Sequence, residues 1–357
     1  MSSGRDFATR LLAWWDQNGR KDLPWQHPRT AYRVWISEIM LQQTQVRTVI
    51  PYFNRWLDDF PDISTLANAS LDQVLSHWAG LGYYARARNL HRCAQVCRDE
   101  NGGQLPSTAD GLVNLPGIGL STANAIISQS SDQPAAVLDG NVRRVLARHA
   151  MIEGWTGSSA VQKNLWRLAE DRLPDRRGAD YTQAIMDLGA MVCTRSRPEC
   201  TACPVADDCK AFQAGVINQY PAPKPKTRIS ERRFHMLLAL ESGEPQKPHR
   251  ILLEKRPPAG IWGGLWSLPE AATRGQLAEA TGLNLENADP LDPIVHHLSH
   301  RRLLIQPLLV RDVIVQQVKS GAGQRWFTAD EVSGLGLPQP VAALLQKLEN
   351  EIQAGDN

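Results

Sequence analysis

The chain has 357 residues, of which 42% are hydrophobic and 21% are charged, and its formal net charge at pH 7 is +2. These values are typical of a globular protein with room for two domains, and they exclude a disordered or fibrous chain. No apolar run is long enough to span a membrane, and the N-terminus lacks the apolar core of a secretory signal. Because six cysteines are too few for a disulfide scaffold at this length, we expect a reducing, cytoplasmic location.

The first 220 residues show apolar side chains at helical spacing, and no long stretch of them alternates with period two. Gly, Pro or Ser separates the periodic segments, as is typical of helix ends. This pattern predicts an all-α domain over residues 1–219. The predicted helices cover residues 5–18, 31–46, 47–59, 70–79, 84–100, 121–131, 141–150, 158–172 and 178–192.

A segment rich in proline and positive charge follows at residues 220–233. Three prolines lie between positions 221 and 225, and they favour an extended, semi-rigid linker. Residues 221–233 also hold five Lys or Arg side chains against one Glu. The linker therefore either follows a phosphate backbone or is a solvated tether.

Short runs of branched apolar residues after the linker are typical of β-strands. They predict an α+β domain over residues 234–357. The predicted strands are Phe234–Leu240, Arg250–Arg256, Arg302–Val310 and Val313–Val318, and the predicted helices are residues 274–281 and 339–352.

The sequence Leu115-Pro116-Gly117-Ile118-Gly119 lies between two helical segments. Two glycines two residues apart leave backbone amides unobstructed, and the helix that follows directs its N-terminal amides outward. Such a turn binds a phosphate without reading the base sequence. Taken alone, the pattern is more often an ordinary glycine-capped turn between helices.

Four of the six cysteines form a C-x6-C-x2-C-x5-C pattern, at Cys193, Cys200, Cys203 and Cys209. Four thiolates this close in sequence surround one metal centre, either a zinc ion or an iron–sulfur cluster. Zinc sites usually have two close pairs of ligands, whereas the first cysteine here stands alone, which favours the cluster. The spacing by itself leaves both open.

Two acidic residues have contrasting predicted surroundings. Glu38 is inside the predicted helix 31–46 with apolar neighbours one turn away, and such neighbours raise the pKa of a carboxyl group. Asp139 precedes a helix, whose N-terminus stabilises an ionised carboxylate. If both line one pocket, one is protonated and the other ionised, as cleavage of a glycosidic bond requires. The alternatives are a surface glutamate paired with an arginine such as Arg33, and a plain helix N-cap.

Four further motifs combine with the hairpin and the cysteines. They are Leu23-Pro24-Trp25, residues 34–44 with the sequence VWISEIMLQQT, residues 80–86 with the sequence GLGYYAR, and residues 138–142 with the sequence LDGNV. Together these motifs resemble the MutY family of adenine DNA glycosylases, within the endonuclease III superfamily, through nearly the whole chain. The resemblance implies an all-α helix–hairpin–helix glycosylase domain with an iron–sulfur loop at residues 193–209, followed by an α+β Nudix-like domain.

The resemblance also implies roles for individual side chains. Glu38 matches the acid that protonates adenine, and Asp139 matches the carboxylate that stabilises the sugar C1′ or bonds to it. Asn141 falls where a polar side chain orients water and the aspartate. Gln183 falls where the family contacts the extruded adenine.

Contacts with DNA and with the cofactor follow from the same resemblance. Gln43 and Tyr83 match residues that are inserted into the base stack around 8-oxoguanine, and Leu115, Gly117 and Gly119 belong to the hairpin that holds the DNA backbone. The four cysteines match the ligands of a 4Fe-4S cluster.

Ser121 distinguishes two branches of the superfamily. Relatives that also cut the DNA strand have a lysine nucleophile at this position in the substrate site. A lysine amine forms a Schiff base with the sugar, whereas a serine hydroxyl cannot. Ser121 therefore implies a monofunctional enzyme that leaves an abasic site.

The second domain resembles the Nudix-like module of the family through residues 260–269, with the sequence GIWGGLWSLP. Residues 270–282 lack the paired glutamates of a Nudix box, so we do not expect magnesium-dependent pyrophosphate hydrolysis. The family recognises 8-oxoguanine with a Phe-Ser-His loop, which here reads Leu298-Ser299-His300. The hydroxyl and the imidazole are kept, and the aromatic ring is lost.

The resemblance as a whole implies a base excision repair enzyme that removes adenine mispaired with 8-oxoguanine or guanine in double-stranded DNA. We expect a nucleoid-associated monomer with no membrane partner. One alternative is a strand-cleaving glycosylase for oxidised pyrimidines, which Ser121 and the second domain disfavour. Another is a DNA-binding protein that senses redox state through its cluster without catalysis, which the carboxylate pair disfavours.

Overall fold

The structure is a computed structural model of the chain, and the chain divides into two compact units. The first unit comprises Met1–Asn68 and Asn89–Lys226, and the second comprises Ala69–Arg88 and Thr227–Asn357. The residues described are 2–225, 229–241, 249–298, 301–319, 321 and 323–355.

Helices dominate the described chain before residue 226, and the predicted all-α character of this part is confirmed. The helices are α1 Ser2–Asn18, α2 Ala31–Leu41, α3 Val46–Asp59, α4 Ile63–Asn68, α5 Leu71–His77, α6 Ala85–Glu100, α7 Ala109–Val113, α8 Leu120–Ser131, α9 Gly140–Ala150, α10 Ser159–Asp171, α11 Gly178–Asp187 and α12 Lys210–Gln213. Within the described residues, no helix is long and apolar enough to cross a membrane.

The helix predicted over residues 31–46 ends earlier than the pattern suggested. Thr30 caps α2, because its hydroxyl accepts a hydrogen bond from the backbone N–H of Arg33 at 3.3 Å, and the helix stops at Leu41. Gln43 then adopts a positive φ of 60°, which interrupts the helix before α3 begins. Residues 42–45, with the sequence QQTQ, contain neither proline nor glycine, so the sequence carries no signal that ends a helix there.

The core of the first unit joins the N-terminal helix to the helices that surround the candidate site. Phe7, Leu11 and Trp15 of α1 are buried in one cluster with Leu146 of α9 and Ile185 of α11. Each large apolar side chain buried in this way contributes about 1.5–3 kcal/mol. The cluster therefore fixes α9 and α11 relative to α1.

The described residues of the second unit form a mixed sheet with helices beside it. Its strands are β1 Ser230–Glu241, β2 Arg250–Lys255, β3 Trp266–Ser267, β4 Glu270–Ala271, β5 Asp289–Pro290, β6 Ile294–His297, β7 Arg301–Val313 and β8 Gln324–Thr328. Its other helices are α13 Arg274–Thr281, α14 Ala329–Ser333 and α15 Gln339–Gly355. The strand order is β3-β2-β1-β7-β5, with β4 beside β1, β6 beside β7 and β8 beside β2. β1 and β7 run parallel, and the other pairs are antiparallel. The predicted α+β character is confirmed.

Two boundaries in this unit differ from the predicted ones. β1 begins at Ser230, inside the segment predicted as linker. The strand predicted over Val313–Val318 is wrong, because β7 ends at Val313 and residues 315–317 form a 3-10 turn. Asp312 has a positive φ of 56° at an irregularity in the pairing of β1 with β7, and the pairing ends one residue later, at Val313.

Residues 69–88 belong to the second unit, although the sequence placed them in the first domain. The hydroxyl of Tyr84 donates to the carbonyl oxygen of Leu337 at 3.1 Å. Asp72 forms an ion pair with Lys255. These contacts join positions far apart in the sequence, which a local pattern cannot anticipate.

Candidate active site

Glu38 lies on α2, and its side chain is largely enclosed while keeping some access to solvent. Its Oε1 accepts a hydrogen bond from Nε2 of Gln129 on α8, at 3.1 Å. Burial, reinforced by the negative charge of Asp139, raises the pKa of Glu38 from 4.5 to about 8. Arg33, the alternative partner considered from the sequence, donates instead to the carbonyl oxygen of Pro24 at 2.6 Å.

Asp139 immediately precedes α9 and caps it. Its Oδ1 accepts a hydrogen bond from the backbone N–H of Val142 at 2.7 Å. Burial raises the pKa of Asp139, against the opposing effects of the Val142 and Asn141 amides and of Arg144 and Arg143. The sequence predicted that the helix N-terminus favours the ionised carboxylate, and the amides of Val142 and Asn141 act in that direction. Burial acts more strongly in the opposite direction, and the protein packed around the carboxyl group is not visible in the sequence.

The two carboxyl groups nevertheless differ in their partners. A neutral side-chain amide holds Glu38, whereas backbone amides and two arginines favour the charged form of Asp139. Neighbouring buried carboxyl groups repel each other when both are ionised, so a pair of this kind tends to share one negative charge. Because Asp139 has more partners that favour its charged form, the shared negative charge is favoured on Asp139. Such a pair can protonate a leaving group and stabilise positive charge on a sugar.

Asn141 lies in the first turn of α9, where Arg144 holds its side chain. The Oδ1 of Asn141 accepts from Nη2 of Arg144 at 2.9 Å. The same guanidinium donates to the carbonyl oxygens of Gly189 at 2.6 Å and Cys193 at 2.7 Å. Gly189 belongs to a π-helical turn, and a Cβ there would lie 2.6 Å from the Cβ of Asn141. Glycine is therefore required for this close approach.

The four cysteines predicted as ligands line one cavity that is open to solvent. These residues are Cys193, Cys200, Cys203 and Cys209. Across the described ranges, no three His, Cys, Asp or Glu side chains are arranged to hold a single metal ion. Four thiols that line one cavity are the donor set of an iron–sulfur cluster, so these residues fit such a group by their chemistry.

Arg148 anchors the cysteine loop from α9. This side chain is 2% exposed, and it donates to the Sγ of Cys193 at 3.4 Å and to the carbonyl oxygen of Thr194 at 2.7 Å. It also donates to the carbonyl oxygens of Arg195 at 3.0 Å and Tyr220 at 2.9 Å. A single buried guanidinium thus joins the helix that Asp139 caps to the loop and to the start of the linker.

Gln183, the predicted adenine contact, is buried on α11 and belongs to a hydrogen-bonded network. Its Nε2 donates to Oδ1 of Asp187, one turn later, at 2.8 Å. Asp187 is fully buried and also accepts from Nε1 of Trp15 at 3.2 Å and from Nη2 of Arg20 at 2.6 Å. The network fixes the orientation of the Gln183 amide.

The predicted hairpin is present between α7 and α8. Leu115 and Ile118 are buried and anchor the turn. Gly117 has a φ of 80°, and a Cβ there would lie 2.6 Å from the Cβ of Asn89, so the position requires glycine. Gly119 is exposed and precedes α8 with no side-chain cap, which leaves the amides of the first helical turn available for an anion.

Ser121 lies in the first turn of α8. Its hydroxyl accepts a hydrogen bond from the backbone N–H of Leu138 at 2.9 Å. It therefore supports the chain directly before Asp139, and it supplies no amine to the site.

Gln43 and Tyr83 share an unusual backbone conformation, although they belong to different units. Gln43 has a φ of 60° and Tyr83 a φ of 50°, and both side chains are exposed, that of Tyr83 by 49%. Positive φ at a residue other than glycine is strained and concentrates at functional positions. Gly80 and Gly82 also have positive φ, so the whole turn before α6 is sharply bent.

The loop predicted to recognise 8-oxoguanine connects β6 to β7. The backbone N–H of Leu298 donates to the carbonyl oxygen of Arg301 at 2.8 Å. Ser299 and His300 lie outside the described residues.

Glu270 begins the segment that would form a Nudix box. Its carboxylate accepts from Arg232 at 3.0 Å and forms an ion pair with Arg256 at 2.8 Å. Two guanidinium groups therefore neutralise this acid within the protein.

Several polar residues of the site were not predicted from the sequence. Gln129 interrupts the apolar run of α8, and Asp187 follows Gln183 by one helical turn, so the sequence weakly indicated both positions. Arg20 and Arg144 carried none, because ordinary surface arginines look the same in sequence.

Family comparisons agree with this architecture. A model of the HhH-GPD superfamily of base excision DNA repair proteins matches residues 36–171, and a NUDIX domain model matches residues 245–347. A thermostable thymine-DNA glycosylase aligns with a TM-score of 0.53 at 26% identity, over 59% of this chain and 97% of that one. Endonuclease III in a non-covalent DNA complex shares the fold, with a TM-score of 0.51 at 20% identity over 60% of this chain and 99% of that one. Fold and site together define a helix–hairpin–helix DNA glycosylase of base excision repair with a Nudix-like second domain.

Full-length relatives narrow the class further. The adenine DNA glycosylase of Buchnera aphidicola subsp. Baizongia pistaciae is 34% identical over 96% of this chain and 97% of its own length. The human adenine DNA glycosylase is 36% identical over 91% of this chain and 70% of its own length. The chain therefore belongs to the adenine DNA glycosylase family.

Proposed function

We propose that this enzyme is a monofunctional glycosylase for adenine opposite 8-oxoguanine or guanine, with Glu38 as general acid and Asp139 as the stabilising carboxylate. The carboxyl pair carries this proposal. Burial and the charge of Asp139 raise the pKa of Glu38 to about 8, so the acid keeps its proton at pH 7. Asp139, capped onto α9 beside Arg143 and Arg144, is the partner better suited to negative charge.

The reaction begins when adenine leaves the duplex, which costs less for a mispaired base. Gln183, oriented by Asp187, contacts the extruded base. Glu38 donates its proton to N7 of adenine, so the C1′–N9 bond breaks with its electron pair and the base departs neutral. Asp139 stabilises the positive sugar or bonds to C1′. A water molecule oriented by Asn141 then adds its hydroxyl group to C1′ while its other proton passes to the Glu38 carboxylate. Any Asp139–C1′ bond breaks in this step, and its electron pair returns to the Asp139 carboxylate.

Contacts with the DNA backbone come mainly from sequence-independent elements. The hairpin presents the uncapped first turn of α8, and the linker adds positive charge. The side chains of Gln43 and Tyr83 are exposed on strained backbone, and they enter the base stack. Their backbone strain supports this role, because residues held at positive φ concentrate at ligand contacts.

Selectivity for 8-oxoguanine is assigned to the loop Leu298-Ser299-His300. The support is the sequence resemblance, in which the serine and the histidine of the family's loop are kept. Replacement of His300 by Ala should lower the ratio of rates on A·8-oxoguanine and A·G duplexes more than it lowers the rate on A·G. An unchanged ratio would remove this role from His300.

A 4Fe-4S cluster is the proposed cofactor, held by Cys193, Cys200, Cys203 and Cys209. Four thiols that line one cavity support a shared metal centre. The resemblance to the family, together with a first cysteine that stands alone in the pattern, favours the cluster over zinc. When bound, the cluster crosslinks the loop to the fold, and Arg148 holds that loop from α9.

The test of function is incubation with a duplex that carries one adenine opposite 8-oxoguanine, followed by alkali to reveal abasic sites. We expect adenine release without strand cleavage before alkali, because Ser121 offers no amine. Efficient trapping of a covalent adduct by borohydride would support the strand-cleaving alternative. Base release that is unchanged by Glu38→Gln would contradict the assigned mechanism.

Three other expectations stay predictions: the protein is a monomer, it is located in the cytoplasm with the nucleoid, and its domains divide at residues 219 and 233. Light scattering of the free protein and fractionation of cells test the first two. Limited proteolysis, followed by mass measurement of the fragments, tests the third.

A further inference from the structure

Gln129 occupies an unusual position in the first unit. It lies on α8, is 4% exposed, and directly follows a run of small and apolar residues, Ala125–Ser128. Its Nε2 donates to Oε1 of Glu38 at 3.1 Å. Its own Oε1 is buried and has no hydrogen-bond partner within the part of the chain that the structure describes.

An unpaired buried amide oxygen destabilises a folded protein. An apolar side chain of similar size would avoid that cost, so packing does not account for glutamine here. The contact that distinguishes Gln129 from an apolar residue is its hydrogen bond to Glu38. Polar groups retained at a cost to stability are typical of functional sites.

The helix that carries Gln129 is fixed from a second direction. The hydroxyl groups of Ser128 and Thr182 share a hydrogen bond of 2.7 Å, which joins α8 to α11. Both residues are fully buried. The amide of Gln129 therefore reaches Glu38 from a rigid helix rather than from a loop, as accurate placement of a reacting group requires.

We propose that Gln129 is a positioning residue for the general acid, which holds the Glu38 carboxyl group by Oε1 and so leaves its proton on Oε2 for the departing base. This inference deepens the proposed glycosylase function and rests on it. In a neutral carboxyl group only the carbonyl oxygen accepts an N–H bond well, so a bond to Oε1 assigns the hydroxyl to Oε2.

The same bond changes strength during the reaction. Before proton transfer Gln129 donates to a neutral acid, and afterwards it donates to a carboxylate, which is the stronger acceptor. Gln129 therefore lowers the pKa of Glu38, against burial and the charge of Asp139, which raise it. Without the amide, Glu38 would be a weaker acid held in a less defined orientation.

The kinetic test compares the wild type with Gln129→Met, in which an apolar chain of similar length replaces the amide. Single-turnover adenine release is measured from about pH 5 to about pH 10 on the A·8-oxoguanine duplex. The rate of the wild type falls as Glu38 loses its proton. In Gln129→Met this fall in rate should move to higher pH by about 1 unit. At pH values below the fall, the rate of the variant should be about 3- to 30-fold lower than that of the wild type.

A slower rate combined with a more alkaline fall separates positioning from a general structural defect. A variant that only disturbs packing would be slower with its pH profile in place, and that result would overturn the inference. Ser131→Ala is the matched control, because this exposed residue lies at the end of the same helix. Its pH profile should coincide with that of the wild type.

Direct titration keeps this inference separate from the proposed function. Carbon-13 NMR of labelled glutamate carboxyl groups follows Glu38, whose signal is assigned by its loss in Glu38→Gln. In Gln129→Met, or in Gln129→Leu if the first variant does not fold, the Glu38 titration should move upward. An unmoved titration in a folded variant would overturn the inference. Failure of the wild type to release adenine would instead refute the proposed function. The titration would still show whether Gln129 lowers the pKa of Glu38.

Discussion

Replacement of Glu38 by Gln should change how stability depends on pH. The folded protein raises the pKa of Glu38 to about 8, whereas the unfolded chain keeps the ordinary value of 4.5. The native state therefore holds this proton more tightly. The contribution of this proton to the free energy of unfolding is fully present below pH 4.5 and is lost as the pH rises through 8. Glutamine does not titrate, so the variant loses this dependence.

The size of the effect follows from the two pKa values. Each unit between them changes the free energy of unfolding by about 1.36 kcal/mol. Between pH 5.0 and 8.5 the wild type should lose about 4 kcal/mol relative to Glu38→Gln, as an upper limit. Because the Glu38 side chain keeps some access to solvent, screening should reduce this to about 2 kcal/mol.

Urea unfolding at both pH values, followed by tryptophan fluorescence, measures the difference. Comparison of variant with wild type at each pH cancels any effect of pH on the cysteine loop. Glu153→Gln is the control, because it removes a carboxyl group from an exposed position and leaves Glu38 in place, so this variant should keep the pH dependence of the wild type. A wild type that loses less than about 1 kcal/mol relative to Glu38→Gln would show that Glu38 is not protonated by burial.

Three further predictions concern other parts of the molecule. Asp139→Asn keeps a good helix cap but removes the charge, so the melting temperature should hold while single-turnover adenine release falls by about 10²- to 10⁴-fold. Arg148→Met leaves four carbonyl and sulfur acceptors without a donor. The free energy of unfolding should fall by about 3 kcal/mol in a urea titration, and visible cluster absorbance should be lost at lower temperature, whereas an unchanged absorbance melt would contradict the anchoring role. Tyr83→Ala should weaken binding to the A·8-oxoguanine duplex by about 1–3 kcal/mol in a gel-shift titration, and equal affinity would exclude stacking.

Features that depend on local chemistry were predictable from the sequence. The hairpin needs glycine at Gly117, because its backbone conformation and its contact with Asn89 exclude a Cβ. The four cysteines lie within one short loop, so their convergence needs little help from the rest of the fold. The acid on α2 and the cap of α9 were likewise visible, since each depends on neighbours within one helical turn.

The amino-acid sequence by itself determined the helical and α+β parts, the cysteine loop, the hairpin and the family, because each is encoded over a few neighbouring residues. Tertiary structure alone decided that burial raises the pKa of Asp139 and that residues 69–88 pack with the second unit. It also brought Gln129 against Glu38. Desolvation and long-range hydrogen bonds depend on which distant segments meet, and the order of residues along the chain does not state this.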